Sequence, residues 1–176
     1  MKILLLDSIN NPREGLVTVA DSAWRPDRRP LVVPEPAPGA PVQLTIRPAV
    51  HISRLGKNIS PQFASRYYNS WAIVAVQERR APDTPGALLA DDSVVTGPWQ
   101  PLDSLPANFI IGTSPVSIDI DHDVLASLVS NLSDGMTFKT GDVLVLPPIA
   151  SMSVYSLPFE VEIISPDADL LKFTIR

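Results

Sequence analysis

Nineteen prolines in 176 residues, against eight glycines, restrict this chain more than any other feature of its sequence. Proline lacks the N–H that a helix interior or a central strand must donate, so a chain this rich in it builds short elements joined by stiff loops. The prolines lie scattered among runs of Val, Ile and Leu, which excludes collagen-like and disordered readings. With 45% hydrophobic and 19% charged residues, the chain can bury a sizeable core, and the expectation is one domain over residues 1–176.

Charge and cysteine usage narrow the classes further. A net charge of −5 argues against a nucleic-acid partner, because phosphate binding needs clustered Lys and Arg. Here the basic clusters are only Arg28-Arg29 and Arg79-Arg80. The absence of cysteine removes disulfides and thiolate metal sites and fits a reducing cytoplasm. Met1-Lys2 and the following Ile-Leu-Leu-Leu imitate a signal peptide, but the apolar run stops at Asp7 and reads as a first buried strand. No run approaches the ~18 apolar residues of a membrane span, so no membrane partner is expected.

Periodicity and punctuation then divide the chain. Strands are expected over 2–6, 15–20, 31–33, 42–47, 49–53, 71–76, 109–111, 116–120, 143–146, 159–164 and 170–175, the last two as an antiparallel pair. In the first of the two runs flanking Pro48, Val42, Leu44 and Ile46 fall on one face and Gln43, Thr45 and Arg47 on the other. Residues 24–30 and 77–86 read as loops, 97–101 as a turn, 102–106 as a short helical turn, and 34–41 as a stiff connector. A short helix follows Ser60-Pro61, with Ser as N-cap, Pro at the first position, and Phe63, Ala64 and Tyr67 on one face. A second, capped by Asp123, runs to about Leu132 with Val124, Leu125, Leu128, Val129 and Leu132 as its apolar stripe. The sum is a mainly β (α+β) domain with two short helices.

Recognisable chemistry is sparse. There is no Gly-rich phosphate loop and no nucleophile elbow. His51 and His122 share no ligand spacing, and His51 reads first as a structural residue of its strand. Asp119-x-Asp121-x-Asp123 lacks the glycine and distal glutamate of a calcium loop and is better read as a strand edge entering a helix cap. Asp91-Asp92 and Glu160-x-Glu162 read as solvated faces.

The stretch RLGKNISPQFASRYY, residues 54–68, resembles the small bacterial members of the fumarylacetoacetate hydrolase family. Asp21-Ser22-Ala23, Asp91 to Trp99, Lys139-Thr-Gly-Asp-Val143 and the closing strand pair resemble further family segments in the same order. The resemblance implies the family's mixed β-roll/sandwich and a homodimer. It also implies a site at which Mg²⁺ or Mn²⁺ polarises a 2-oxo or 1,3-dicarbonyl acid. Counted from residues 54–68, the family's two metal-binding Glu positions fall on Thr45 and Arg47, and its Asp position on Val76. Its catalytic Lys falls at about Leu88, its Thr-Gly-Thr-Pro loop on Leu146 to Ile149, and its early His has no counterpart between Ser8 and Glu14.

The expectation is therefore a non-catalytic member without a metal cofactor, with a vestigial pocket at Thr45, Arg47, Val76, Glu78 and Leu88. Arg47 would serve a small anionic ligand or an ion pair with a nearby acid, and a structural or regulatory role is the other outlet. The alternative is a metal-dependent hydrolase, decarboxylase or isomerase with a site relocated to Glu78 and Asp91.

Overall fold

Strand β4, Val42–Ile52, shows how this sequence accommodates its prolines. The computed structural model describes residues 1–33, 41–78, 91–105, 107–118, 120–166 and 168–176. Pro48 was expected to split two strands, yet β4 is continuous over eleven residues and pairs antiparallel with β5, Tyr68–Glu78. The reason lies on the other edge of β4, which two strands share. β10 (Val143–Val145) pairs with Ala49 to His51, and β11 (Ala150–Val154) pairs with Val42 to Ile46. Pro48 falls in the gap between them. Its carbonyl accepts the Leu146 N–H at 2.8 Å, and its missing N–H faces the Leu146–Ile149 turn, where the ladder needs no donor.

The sheet must curl. Its path runs β2-β1-β10-β4-β5-β6-β3, with β1 at Ile3–Leu5, β2 at Val17–Val19, β3 at Trp24–Pro26 and β6 at Val94–Thr96. The outermost strands, β2 and β3, are adjacent in sequence. Five Cα steps from Val19 to Trp24 reach about 18 Å at most. Six strand spacings in a flat sheet would separate them by about 29 Å. A covalent link that short forces the sheet to roll until its edges approach.

Rolling gives the sheet an inside. Ile3, Leu5, Ala49, Val74, Val76, Val94, Val143 and Val145 pack there. The outer face is covered by two different layers. Leu44 and Ile46 pack against a second sheet of order β13-β12-β8-β9, through Phe109, Ile163 and Phe173. That sheet comprises β8 (Ala107–Ile111), β9 (Ser114–Ile118), β12 (Phe159–Ile164) and β13 (Asp169–Ile175), the last two being the expected closing pair. Further along β4, Val50 and Ile52 pack against Leu125, Leu128, Val129, Leu132 and Phe138. Each such buried side chain contributes roughly 1.5–3 kcal/mol. The alternation read from the sequence thus assigns even-numbered residues of β4 to the outer cores and odd-numbered ones to the interior.

Several elements differ from expectation. The second helix, α2, spans His122–Gly135, and its cap is Asp121, whose carboxylate accepts the Asp123 N–H at 2.7 Å. The first, α1, is only Pro61–Ala64, and Ser60 makes no side-chain cap. Its exit tightens into three-residue turns, with Arg66 N–H donating to Phe63 and Tyr67 N–H to Ala64, because Tyr68 must already enter β5. Trp24–Pro26, read as loop, is β3; β6 and β11 were not anticipated, and the 97–101 turn ends in a short strand, β7, at Gln100–Pro101. These strands are two to five residues long, too short for periodicity to mark them. Leu31–Val33 reduces to an isolated bridge between Leu31 and Ile175. Gln77 and Glu78, assigned to loop, complete β5. The rest of that loop, 79–86, and connector residues 34–40 lie outside the described residues.

The chain start is tied to the Lys139-Thr-Gly-Asp turn. Gly141 adopts φ +92°, which a Cβ would strain, and so aims Asp142 inward. The Asp142 carboxylate, 0% exposed, accepts the Lys2 and Lys139 N–H groups, both at 2.8 Å, and lies 3.3 Å from Lys2 Nζ.

Candidate functional site

The inner face of β4 and β5 brings three of the expected positions together. Thr45 lies directly opposite Val76 in the ladder, and Arg47, two residues on, lies opposite Val74. The three side chains share one face of the roll. Glu78 ends β5 across from Gln43. Leu88 lies outside the described residues.

Arg47 is 5% exposed, so its charge requires partners. Its Nε donates to Thr45 Oγ1 at 3.1 Å and its Nη1 to the Leu6 carbonyl at 2.9 Å. Its Nη2 lies 3.6 Å from Asp7 Oδ1. The first contact follows from strand alternation, since residues two apart share a face. The others exist because β1 delivers Leu6 and Asp7 to the same end of the roll. Asp7 is the nearby acid that the ion-pair expectation for Arg47 called for. Its side chain is 66% exposed, so water screens the pair and its contribution is small.

These residues do not make a divalent-metal site. A hard cation takes carboxylate, carbonyl or water oxygens, whereas this position offers a hydroxyl, a guanidinium and an isopropyl group. Among the described residues no group of three or more His, Asp or Glu is placed to hold a metal ion.

The acidic motifs are otherwise engaged. Asp121 and Asp123 serve the start of α2, and Asp119 lies outside the described residues. Asp92 pairs with Arg25 at 3.3 Å. Glu160 and Glu162 lie on the solvent face of β12 beside Lys172, at 3.5 and 2.6 Å, and the hydrogen bond that Lys172 donates to Glu162 holds its ammonium above its usual range. Burial pushes the Tyr68 phenol up, with Asp123 adding to the effect, and its hydroxyl reaches the His122 carbonyl at 3.4 Å.

Sequence reasoning passed over one constellation. His51 sits on the same face of β4 as Arg47, and its ring lies 5.3 Å from that of Trp99. Trp99 lies nearly parallel to Trp24 at 6.2 Å. The signal available in the sequence was the odd register of His51, which places it inside the roll; the approach of the two tryptophans depends on β3 lying beside β6.

No family model matches the sequence, and no curated protein matches it. Solved structures do match. A fumarylacetoacetate hydrolase family protein from Yersinia pestis superposes with a TM-score of 0.76 at 17% identity, over 99% of this chain and 92% of that one. The 2-hydroxyhepta-2,4-diene-1,7-dioate isomerase of Mycobacterium marinum gives 0.77 at 18% identity, over 99% and 73%. Fumarylpyruvate hydrolase from Pseudomonas aeruginosa, in complex with Mn²⁺ and pyruvate, gives 0.74 at 15% identity, over 99% and 89%. The chain therefore has the fumarylacetoacetate hydrolase-like fold, mainly β with two short helices, as the resemblance implied. One expectation is corrected. A fold neighbour holds Mn²⁺ with pyruvate, so the expectation that this chain takes no cofactor does not stand. Among the described residues no helix is long and apolar enough to cross a membrane.

Proposed function

We propose that this chain is a non-catalytic relative of the hydrolases and isomerases that share its fold, and that it uses the rolled sheet to bind a small anion or to partner another subunit. The observation that supports this is the Arg47 guanidinium, buried beside Thr45 and Val76 where the family resemblance calls for metal-binding carboxylates. A dication about 4 Å from that guanidinium would be repelled by roughly 8 kcal/mol at an effective dielectric of 20. The catalytic geometry of the fold neighbours is therefore disfavoured at this position, whatever ion binds elsewhere. Arg47 also gives the face a positive centre suited to a carboxylate, which would compete with the exposed Asp7 for the outer edge of the guanidinium. The assembly that goes with this reading is a homodimer, tested by sedimentation velocity.

The deciding experiment measures turnover of oxaloacetate and an acylpyruvate with Mn²⁺ or Mg²⁺ present, alongside thermal shifts with the ions and with a panel of dicarboxylates and 2-oxo acids. The expected result is no turnover, with stabilisation by one or more of the acids that strengthens in Asp7→Asn. Turnover that disappears in Glu78→Ala would establish instead a hydrolase or decarboxylase with a relocated site.

A further inference from the structure

The face that carries Arg47 continues along β4 to His51, four residues on and so about 13 Å away along the strand. There three elements converge: His51 from β4, Trp24 from β3, and Trp99 from the turn after β6. These rings are not sealed into a core. Trp99 is 37% exposed, and Trp24 and His51 are half-buried. Trp71 shows the contrast, being 1% exposed with its Nε1 donating to Ser104 Oγ at 2.9 Å.

Two polar groups attend the aromatic wall. Thr96 on β6 pairs with Pro26 while Val94 pairs with Trp24, so Thr96 and Trp24 share a sheet face at diagonal positions. Thr96 is 4% exposed, and its hydroxyl is buried with no hydrogen-bond partner among the described residues. An unpaired buried hydroxyl is costly, and a polar ligand atom that reaches it removes the cost. The second group is the imidazole. His51 Nδ1 lies 3.4 Å from Asn69 Oδ1, which can only accept and which also takes the Ser70 hydroxyl at 3.1 Å. The tautomer that donates from Nδ1 to that oxygen presents Nε2 as an acceptor.

We propose that Trp24, Trp99, His51 and Thr96 form a binding subsite for a planar conjugated ring bearing a hydroxyl group, phenolic or enolic. The ring lies against the indole faces, its O–H donates to His51 Nε2, and the Thr96 hydroxyl takes a second polar contact. Arg47 is not among these residues, though Thr96 lies across Val74 from it, and a readout on the two tryptophans and His51 lets the subsite stand or fall separately from the function proposed above.

The test is a titration of the full chain with phenol and with anisole, which has the same ring but no donor, followed on the indole N–H signals of the three tryptophans. Saturable shifts of the Trp24 and Trp99 signals are expected while Trp71 stays fixed, with anisole binding about fivefold more weakly for want of one hydrogen bond. His51→Phe keeps a ring and removes the acceptor, and should bring the two affinities together. Trp99→Leu should weaken both probes; if that variant does not fold, His51→Phe decides alone. Non-saturating shifts, equal movement of Trp71, or equal affinity for the two probes in the unmodified chain would overturn the proposal. So would loss of binding in Phe63→Ala, which removes an exposed ring on α1.

Discussion

Replacing Asp142 should cost more stability than replacing any exposed carboxylate of this chain. Its carboxylate is wholly buried and accepts two backbone N–H groups, from Lys2 and Lys139, at 2.8 Å each. Hydrogen bonds to a charged acceptor contribute about 1.5–3 kcal/mol each. Asp142→Asn preserves the shape but turns an NH₂ group toward one of the two donors. It thus loses one such bond and weakens the other, for about 3 kcal/mol. Asp142→Ala removes both bonds to the charged acceptor from two part-buried donors and should cost about 4–5 kcal/mol. The Lys2 ammonium adds little, because its side chain is a third exposed. For a chain of this size each kcal/mol lowers Tm by about 2–4 °C, so the Asn variant should melt about 6–12 °C lower. Urea unfolding with a far-ultraviolet circular dichroism readout measures the difference, with Lys2→Met as the control expected to lose under about 1 kcal/mol. If Asp142→Ala stays within 1 kcal/mol of the parent, the turn is not fastened through this carboxylate and the reasoning fails.

Other outcomes follow from the same packing. A Cβ on Gly97 would lie 1.8 Å from the Leu170 carbonyl oxygen, a backbone atom that cannot swing aside, so Gly97→Ala should force the two sheets apart and cost about 3 kcal/mol in the same urea assay. Pro48→Ala should change stability by less than about 1 kcal/mol, since the ladder needs no N–H there; a loss of 3 kcal/mol would mean the ring itself is packed against something essential. Burial raises the Asp27 carboxyl above its ordinary range, with Arg28 opposing and Asp169 adding to the rise. A raised folded-state value means that the folded chain holds the proton more tightly. That stabilisation is complete below the unfolded value and is lost as pH rises through the folded one. Asp27→Asn should accordingly be more stable than the parent at pH 7, with the gain vanishing in acid; a gain that grows on acidification would contradict the assignment.

Much of this protein was legible before folding was considered. The alternation of Val42 to Arg47 assigned Leu44 and Ile46 to one side and Thr45 and Arg47 to the other, because side-chain direction in a strand is a local property with a period of two. The stripe from Val124 to Leu132 located α2 for the same kind of reason. Residues 54–68 gave the register from which Thr45, Arg47 and Val76 could be counted, and the ladder sets the first and last of these opposite each other. Pro48 misled because a missing N–H matters only where a partner strand requests it, and which strands lie beside β4 is not written in its own sequence.

The rest belongs to the tertiary structure. Five Cα steps between Val19 and Trp24 force the sheet to roll, and the strand order β1-β10-β4-β5-β6-β3 brings Asp7 to Arg47 and Trp99 between Trp24 and His51. Those contacts join residues 40, 48 and 75 positions apart (47 − 7, 99 − 51 and 99 − 24). No local propensity encodes such separations; they are set by strand order and sheet curvature. The sequence alone determined which side chains of residues 42–47 share a face. The strand order of the sheet decided which side chains meet, because pairing sets strands that are distant in sequence side by side.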